Sequence, residues 1–229
     1  MAISTFSQAS GTTDNSNFYS WLNSHKSGTI FEDCTITNTT TTATNDTVTI
    51  TDGTITISIT ARTTYGVTVI SYTGSTLGDV NLTTSAGNEA TACITGAILC
   101  DYGLILKITG NYLSPVVTTY GYCITTDNAG KLALLSSSTT IPAQDPTITT
   151  WNTYTATSTT AAPRSVCPYY SANLTSLAPI TAQGNDDNLY LPYAYAAIST
   201  QLNQEGMYAV VIDGKQYISN GVWYIKDGD

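Results

Sequence analysis

The chain holds one histidine, His25, so any serine or cysteine nucleophile would have to take its general base from that position. His25 sits between Ser24 and Lys26 at the end of a short amphipathic stretch, where a cation complements a helix dipole. A structural role is expected for it. Carboxylate pairs would be the next route to catalysis, because glycan cleavage needs two acids facing each other across the scissile bond. Glu32-Asp33 and Asp186-Asp187 are adjacent pairs, but neighbours on a strand point to opposite faces. Glu89 and Asp101 would have to converge from a distance, and nothing in the spacing brings them together. Gly184-Asn185-Asp186-Asp187-Asn188 is rich in oxygen donors but lacks the alternation and distal glutamate of an EF-hand, and reads as an acidic surface loop. Cys34, Cys93, Cys100, Cys123 and Cys167 form no CxxC pair and are odd in number, which fits buried reduced thiols better than a metal site or a disulfide framework. Phosphate-cradling glycine motifs are absent. No catalytic, metal-binding or cofactor-binding residue is therefore expected.

The aromatic supply points to contact chemistry. Tyr numbers 16, Trp 3 and Phe 3, and tyrosine joins a large apolar area to a polar tip, which suits subunit interfaces and sugar platforms alike. The candidate protein-contact residues are Phe18, Trp21 and Leu22 near the N-terminus and Tyr217, Trp223 and Tyr224 near the C-terminus.

The elements that would carry them are legible to different degrees. Residues 207–229 contain three apolar runs separated by Asp213-Gly214 and Asn220-Gly221, the dipeptides of two-residue type I′ loops. A three-stranded meander follows, with Ile212 opposite Lys215, Val210 opposite Tyr217 and Ala209 opposite Ile218. Across the second loop, the same rule sets Ile218 opposite Trp223 and Tyr217 opposite Tyr224. Phe18, Trp21 and Leu22 fall at i, i+3, i+4 after Asn15-Ser16, with Gly28 as a stop, and predict one helix. Its apolar stripe fits either the chain's own sheet or a neighbouring subunit. Between 29 and 73 the period is two. A loop at Asp52-Gly53 places Ile50 opposite Ile55 and Val48 opposite Ile57, with isoleucines on one face and threonines on the other. Further strands are expected over 66–73, 91–99, 104–109, 116–125 and 131–135, separated by turns at 101–103, 110–111 and 127–130. Pro192 could open a short helix through Tyr195, Ile198 and Leu202 that ends near Gly206.

The expected class is all-β: an antiparallel sandwich or barrel-like body with a short N-terminal helix and a C-terminal three-stranded meander. The predicted divisions are an N-terminal arm over 1–28, a β domain over 29–136, a Ser/Thr/Pro-rich connector over 137–165 with an edge strand near Trp151 and Tyr154, and a C-terminal β region over 166–229 whose stretch 166–190 is loop-rich.

Bulk composition narrows the partners. Charged residues are 10%, with 7 Lys and Arg against 16 Asp and Glu, a net charge of -9. Nucleic acid is not expected as a partner, since phosphate contacts need cations in number. The most apolar window, 92–108, is interrupted by Asp101 and Lys107 and is too short to span a bilayer, so no membrane partner is expected. The first residues carry neither a basic nor an apolar targeting region, so no signal peptide is expected. Ser and Thr make up roughly a quarter of the chain, which implies sheets with a neutral, hydroxyl-covered outer face.

One segment carries a resemblance. The run from Tyr193 through Asn203-Gln204-Glu205-Gly206 and Ile212-Asp213-Gly214-Lys215-Gln216-Tyr217 to Ser219-Asn220-Gly221-Val222-Trp223-Tyr224-Ile225-Lys226-Asp227 resembles the ends of virion structural proteins from tailed phages of gut bacteria. The threonine-rich remainder has the β character common in head-decoration, fibre and tail proteins. The resemblance implies no enzymatic activity and no cofactor. It implies assembly in the host cytoplasm into a virion, with copies of itself and other virion proteins as partners. A capsid decoration or head-fibre component is the first expectation, and a tail, neck or baseplate component the second. From other classes, a carbohydrate-binding surface module touching host glycan, or a polysaccharide-degrading tail enzyme, stays open.

Overall fold

A computed structural model describes residues 2–9, 14–42, 45–62, 68–74, 80–83, 89–112, 117–137, 155–156, 160–161, 164–166, 177–183, 188–197, 207–219 and 223–228. Among these the chain is all-β apart from one helix. The N-terminal part contributes β1 (Ser4–Ser7), α1 (Ser16–His25), β2 (Thr35–Thr42), β3 (Asn45–Thr51), β4 (Thr56–Arg62), β5 (Thr68–Thr73) and β6 (Val80–Thr83). It continues through β7 (Glu89–Cys100), β8 (Gly103–Tyr112), β9 (Val117–Thr126) and β10 (Leu132–Ser137). These strands form one antiparallel sheet in the order β10-β9-β8-β7-β4-β3-β2, with β1 added to β7, β5 to β4 and β6 to β5. Because β1 pairs along β7 from Ser4↔Leu99 to Ser7↔Gly96, the N-terminus is stitched into the body rather than projecting from it as an arm.

The large sheet folds back on itself, as the expected sandwich or barrel requires. Its β10 margin returns to the β3–β4 loop and to β5. The Leu132 N–H donates to Asp52 Oδ2 at 2.9 Å, Lys131 Nζ donates to Thr54 Oγ1 at 2.9 Å, and the Tyr72 hydroxyl donates to the Leu132 carbonyl at 3.0 Å. The enclosed core takes Val48, Ile50, Ile57 and Ile59 from the first half and Ile94, Leu104, Leu106, Ile108 and Ile124 from the second. Period-two alternation explains the arrangement: isoleucine points in and threonine out. On the outer face Thr47 pairs with Thr60 at 3.0 Å and Thr49 with Ser58 at 3.2 Å through their hydroxyls.

The faces of this hairpin agree with the sequence reading, but the register does not. Ile50 pairs with Ile57 and Val48 with Ile59, two residues further along than a two-residue loop would give. The Asp52 carboxylate is the cause. Its Oδ1 accepts the N–H groups of Thr54 and Ile55, both at 2.8 Å, and this holds a longer loop with Gly53 at φ 86°. A slip of two residues preserves which side chains face the core. The turn expected at Gly110-Asn111 is likewise corrected: both residues lie within β8, where they pair with Thr118 and Val117.

The helix docks its stripe on the chain's own sheet. Phe18 and Leu22 are fully buried in the core, with Phe6 and Trp21 packed beside them. The helix ends at His25, and Gly28 adopts its left-handed conformation (φ 76°) in the turn beyond.

The C-terminal part begins with a two-strand ladder, β11 (Thr155–Ala156) and β12 (Thr160–Ala161). Trp151 and Tyr154, where an edge strand was expected, lie outside the described residues. A second antiparallel sheet follows, made of β13 (Arg164–Val166), β14 (Leu177–Gln183), β15 (Asn188–Ala197), β16 (Tyr208–Ile212), β17 (Lys215–Ser219) and β18 (Trp223–Asp227), in the order β13-β14-β15-β18-β17-β16. Two expectations fall here. The stretch 166–190 holds strand β14 among its described residues, and Pro192 and Tyr195 lie within strand β15 instead of a helix, while Ile198, Leu202 and Gly206 lie outside the described residues. The pairing jumps from Ile180↔Leu191 to Pro179↔Tyr195, so Pro192 occupies a bulge where its missing N–H takes nothing from the ladder.

This sheet lies against the outer face of β7–β10. Leu191, Ala194, Ile218 and Ile225 meet Ile98, Cys100, Ile105, Cys123 and Ala133 in a second, smaller core. Both faces of β7–β10 are thus covered, which is why their side chains are apolar in both phases.

Candidate interaction surface

Three of the residues singled out for chemistry, His25, Glu32 and Asp101, make local structural contacts. His25 Nδ1 lies 2.8 Å from the Trp21 carbonyl oxygen and 2.9 Å from Ser24 Oγ, and its ring lies against Trp21 at 5.6 Å between centroids. Glu32 Oε2 accepts the Gly28 N–H at 3.0 Å, and Asp101 is tied to the second sheet through its N–H to Asp227 Oδ1 at 3.2 Å. Residues 184–187 of the acidic loop lie outside the described residues, and Asn188 begins β15. Among the described residues no group of three His, Cys, Asp or Glu side chains could hold a metal ion, and no helix is long and apolar enough to cross a membrane.

One carboxylate pair was not visible in the sequence. Asp46 on β3 accepts the Asn15 N–H, and the Thr40 hydroxyl donates to its Oδ1 at 3.1 Å. Asp14 accepts the Ser16 N–H at 2.6 Å. Burial pushes the Asp46 carboxyl up, while the Ser16 hydrogen bonds hold Asp14 down. The two acids together supply acceptors for the N–H groups of Asn15 and Ser16 where the chain enters α1.

Cys34, Cys93, Cys100 and Cys123 are all buried. Burial pushes the Cys34 thiol up to about 11 and that of Cys100 to about 12, so neither supplies a thiolate nucleophile near neutral pH.

The predicted contact residues divide sharply. Phe18, Leu22 and Tyr224 are almost fully buried within the chain, and Tyr217 is 6% exposed. Trp21 is half-buried beside Phe6 and His25. Trp223 heads β18, and its side chain lies outside the described residues. The tyrosines of the meander are spent on internal packing. Tyr208 and Tyr224 hydroxyls lie 3.1 Å apart, and Tyr195 meets Tyr217 edge-on at 5.7 Å. At the sheet end Tyr102 stacks on Tyr193 at 3.9 Å, with Lys226 Nζ 6.0 Å from the Tyr102 ring.

What the meander does present is strand β16. Asp213 (φ 50°) and Gly214 (φ 76°) form the expected type I′ loop, and the first hairpin has the expected register, with Ile212↔Lys215, Val210↔Tyr217 and Ala209↔Ile218. The second does not: Ile218 pairs with Ile225, Ser219 with Tyr224 and Tyr217 with Lys226, so four residues, not two, connect the strands.

Residues flanking a two-residue loop exchange both hydrogen bonds, and the pattern then alternates. Ile212, Val210 and Tyr208 therefore bond inward to β17, and the N–H and C=O groups of Ala209 and Val211 point outward. Among the described residues no strand lies beyond β16. The strand reads YAVVI, without a charge, and Val211 is 65% exposed, the sole large apolar side chain so exposed among those described. Ala209 and Val211 share a face with Ile218, which is buried between the sheets, yet both project past the cover of the large sheet. The sequence signal was available: an apolar run bounded by Asp213, with none of the lysines that usually protect an edge.

No family model, no curated protein and no solved structure matches this chain.

Proposed function

We propose that the chain is a non-enzymatic structural protein of a tailed-phage virion, a head-decoration or head-fibre component that acts through protein–protein contact. The observation that carries this reading is the uncharged edge of β16, beyond which no strand lies among the described residues, with Val211 standing out of it. Such an edge is a liability on a freely diffusing monomer and a coupling element in a particle built from repeated copies. The neutral hydroxyl ladder on the outer face of β3 and β4 fits the same setting, since it gives a polar surface without single-sign charge. The resemblance of residues 193–227 to virion proteins points the same way. The test is quantitative mass spectrometry of purified particles, combined with antibody labelling in electron micrographs. Many copies per particle with label on the head are expected. A handful of copies at the neck or tail would move the protein to that position, and absence from particles would overturn the reading.

A further inference from the structure

The occupant of the β16 edge is, we propose, the β16 strand of a second copy, joined antiparallel across a two-fold axis through Val210. The inference deepens the virion reading and rests on it only for its biological setting. Three features of the strand select a second copy.

The first is hydrogen bonding. An antiparallel pair centred on Val210 sets Ala209 of one copy opposite Val211 of the other, and these are the two residues whose backbone groups point outward. Each pair exchanges two N–H···O=C bonds, and the two-fold repeats the exchange. The register satisfies every outward group of Ala209 and Val211 and turns two six-stranded sheets into one continuous sheet.

The second is shape. Ala209 opposite Val211 matches a small side chain to a branched one twice over, so the exposed valine of each copy closes over the alanine of its mate. On the other face Tyr208 lies opposite Ile212, an aromatic with a β-branched residue, a pairing that stabilises a sheet. Val210 meets itself, and a single methyl-bearing pair fits at the axis.

The third is charge. A charge at position 210 would face its own symmetry mate, and one elsewhere on so short a strand would lie within a few residues of its own mate. This strand carries none in Tyr208–Ile212. The molecule bears a net charge of -9, yet leaves this strand neutral.

The test is sedimentation of the full chain over a range of concentrations, with two variants. The parent is expected to associate to a dimer. Val211→Lys changes a residue that is 65% exposed, so the fold, checked by circular dichroism, should be kept while dimerisation weakens by about tenfold or more. Val210→Cys, in a Cys167→Ser background, should form an intermolecular disulfide on mild oxidation, because residues opposite each other at a non-hydrogen-bonded site lie about 4.5 Å apart at Cα, within the span a disulfide bridges. A parent that stays monomeric at every concentration overturns the inference. So does a dimer indifferent to Val211→Lys, and a dimer that gives no disulfide through position 210 overturns the axis. A dimer that passes these tests but is missing from purified particles would sink the virion reading and leave the interface standing.

Discussion

Asp52 joins two regions of the chain eighty residues apart with one carboxylate. Its Oδ1 accepts the N–H groups of Thr54 and Ile55 and its Oδ2 accepts that of Leu132, on the strand that closes the large sheet. Burial pushes its carboxyl up, but the Leu132, Ile55 and Thr54 hydrogen bonds and the nearby Lys131 outweigh that, and the net shift is downward. A group whose folded pKa is depressed contributes stability above its unfolded value and loses it as pH falls through the folded one. Asp52→Ala should therefore cost on the order of 2 to 3 kcal/mol at neutral pH, chiefly from the Leu132 N–H left buried without an acceptor. The gap between variant and parent should narrow as the pH drops below the ordinary carboxylate value of 3.8, as the proton-linked part is lost. Urea titrations at several pH values measure both, and equal stability of the two chains at neutral pH would refute the clamp. The sequence announces Asp52-Gly53 as a turn and places every isoleucine on the right face. It does not announce that the carboxylate accepts the N–H groups of Thr54 and Ile55, which lengthens the loop, or that it also reaches Leu132. Asp46 and Asp14 were missed for the same reason, since their meeting depends on how α1 crosses β3.

At the scale of elements, the contact between the two sheets is set by glycines as much as by apolar side chains. A Cβ on Gly103 would stand 2.7 Å from the Ile124 carbonyl oxygen and 2.7 Å from Ile225 Cδ1. Ile225 is fully buried and the carbonyl belongs to a neighbouring strand, so neither can yield cheaply. At Gly96 the obstacle is the terminal methyl of Met207, which can swing aside. Gly103→Ala should then cost about 1 to 3 kcal/mol as an overpacked core does, and Gly96→Ala much less. Shortening Ile225 to Val in the Gly103→Ala background should restore only part of the loss, because the carbonyl remains. Denaturant midpoints for the set, with limited proteolysis of the C-terminal sheet, would decide it, and equal costs at the two glycines would contradict the geometry. Legibility at this scale follows periodicity. Strands β7 to β10 are legible from apolar runs and turns, whereas the second half of β15 reads as the start of a helix because its bulge at Pro192 breaks the alternation of two. The predicted register of the first meander hairpin holds because Asp213-Gly214 fixes its loop. The second slips by two residues, and the faces survive because two is the side-chain period.

For the whole molecule, the telling quantity is a net charge of -9 carried on a surface with few charges of either sign. Composition alone implies hydroxyl-covered sheets. It could not say which rim stays open, because that depends on β15 pairing with β18 and leaving β16 outermost. With the rim located, charge makes an opposing demand. Two copies meeting at β16 bring like net charges together, while the joining strands are neutral, so the long-range term opposes association and the short-range terms favour it. Salt separates the two. At 0.1 M ionic strength the screening length is about 10 Å, and at 1 M about 3 Å. Repulsion between the bodies should fade over that range, while hydrogen bonds and apolar contacts at the strand persist. Self-association of this chain should therefore strengthen as sodium chloride is raised, a dependence opposite in sign to that of a protein held to nucleic acid by phosphate contacts. Sedimentation equilibrium at low and high salt reads the result directly. Weaker association at high salt would mean that ion pairs hold the copies together, and the neutral strand would then not be the surface that joins them.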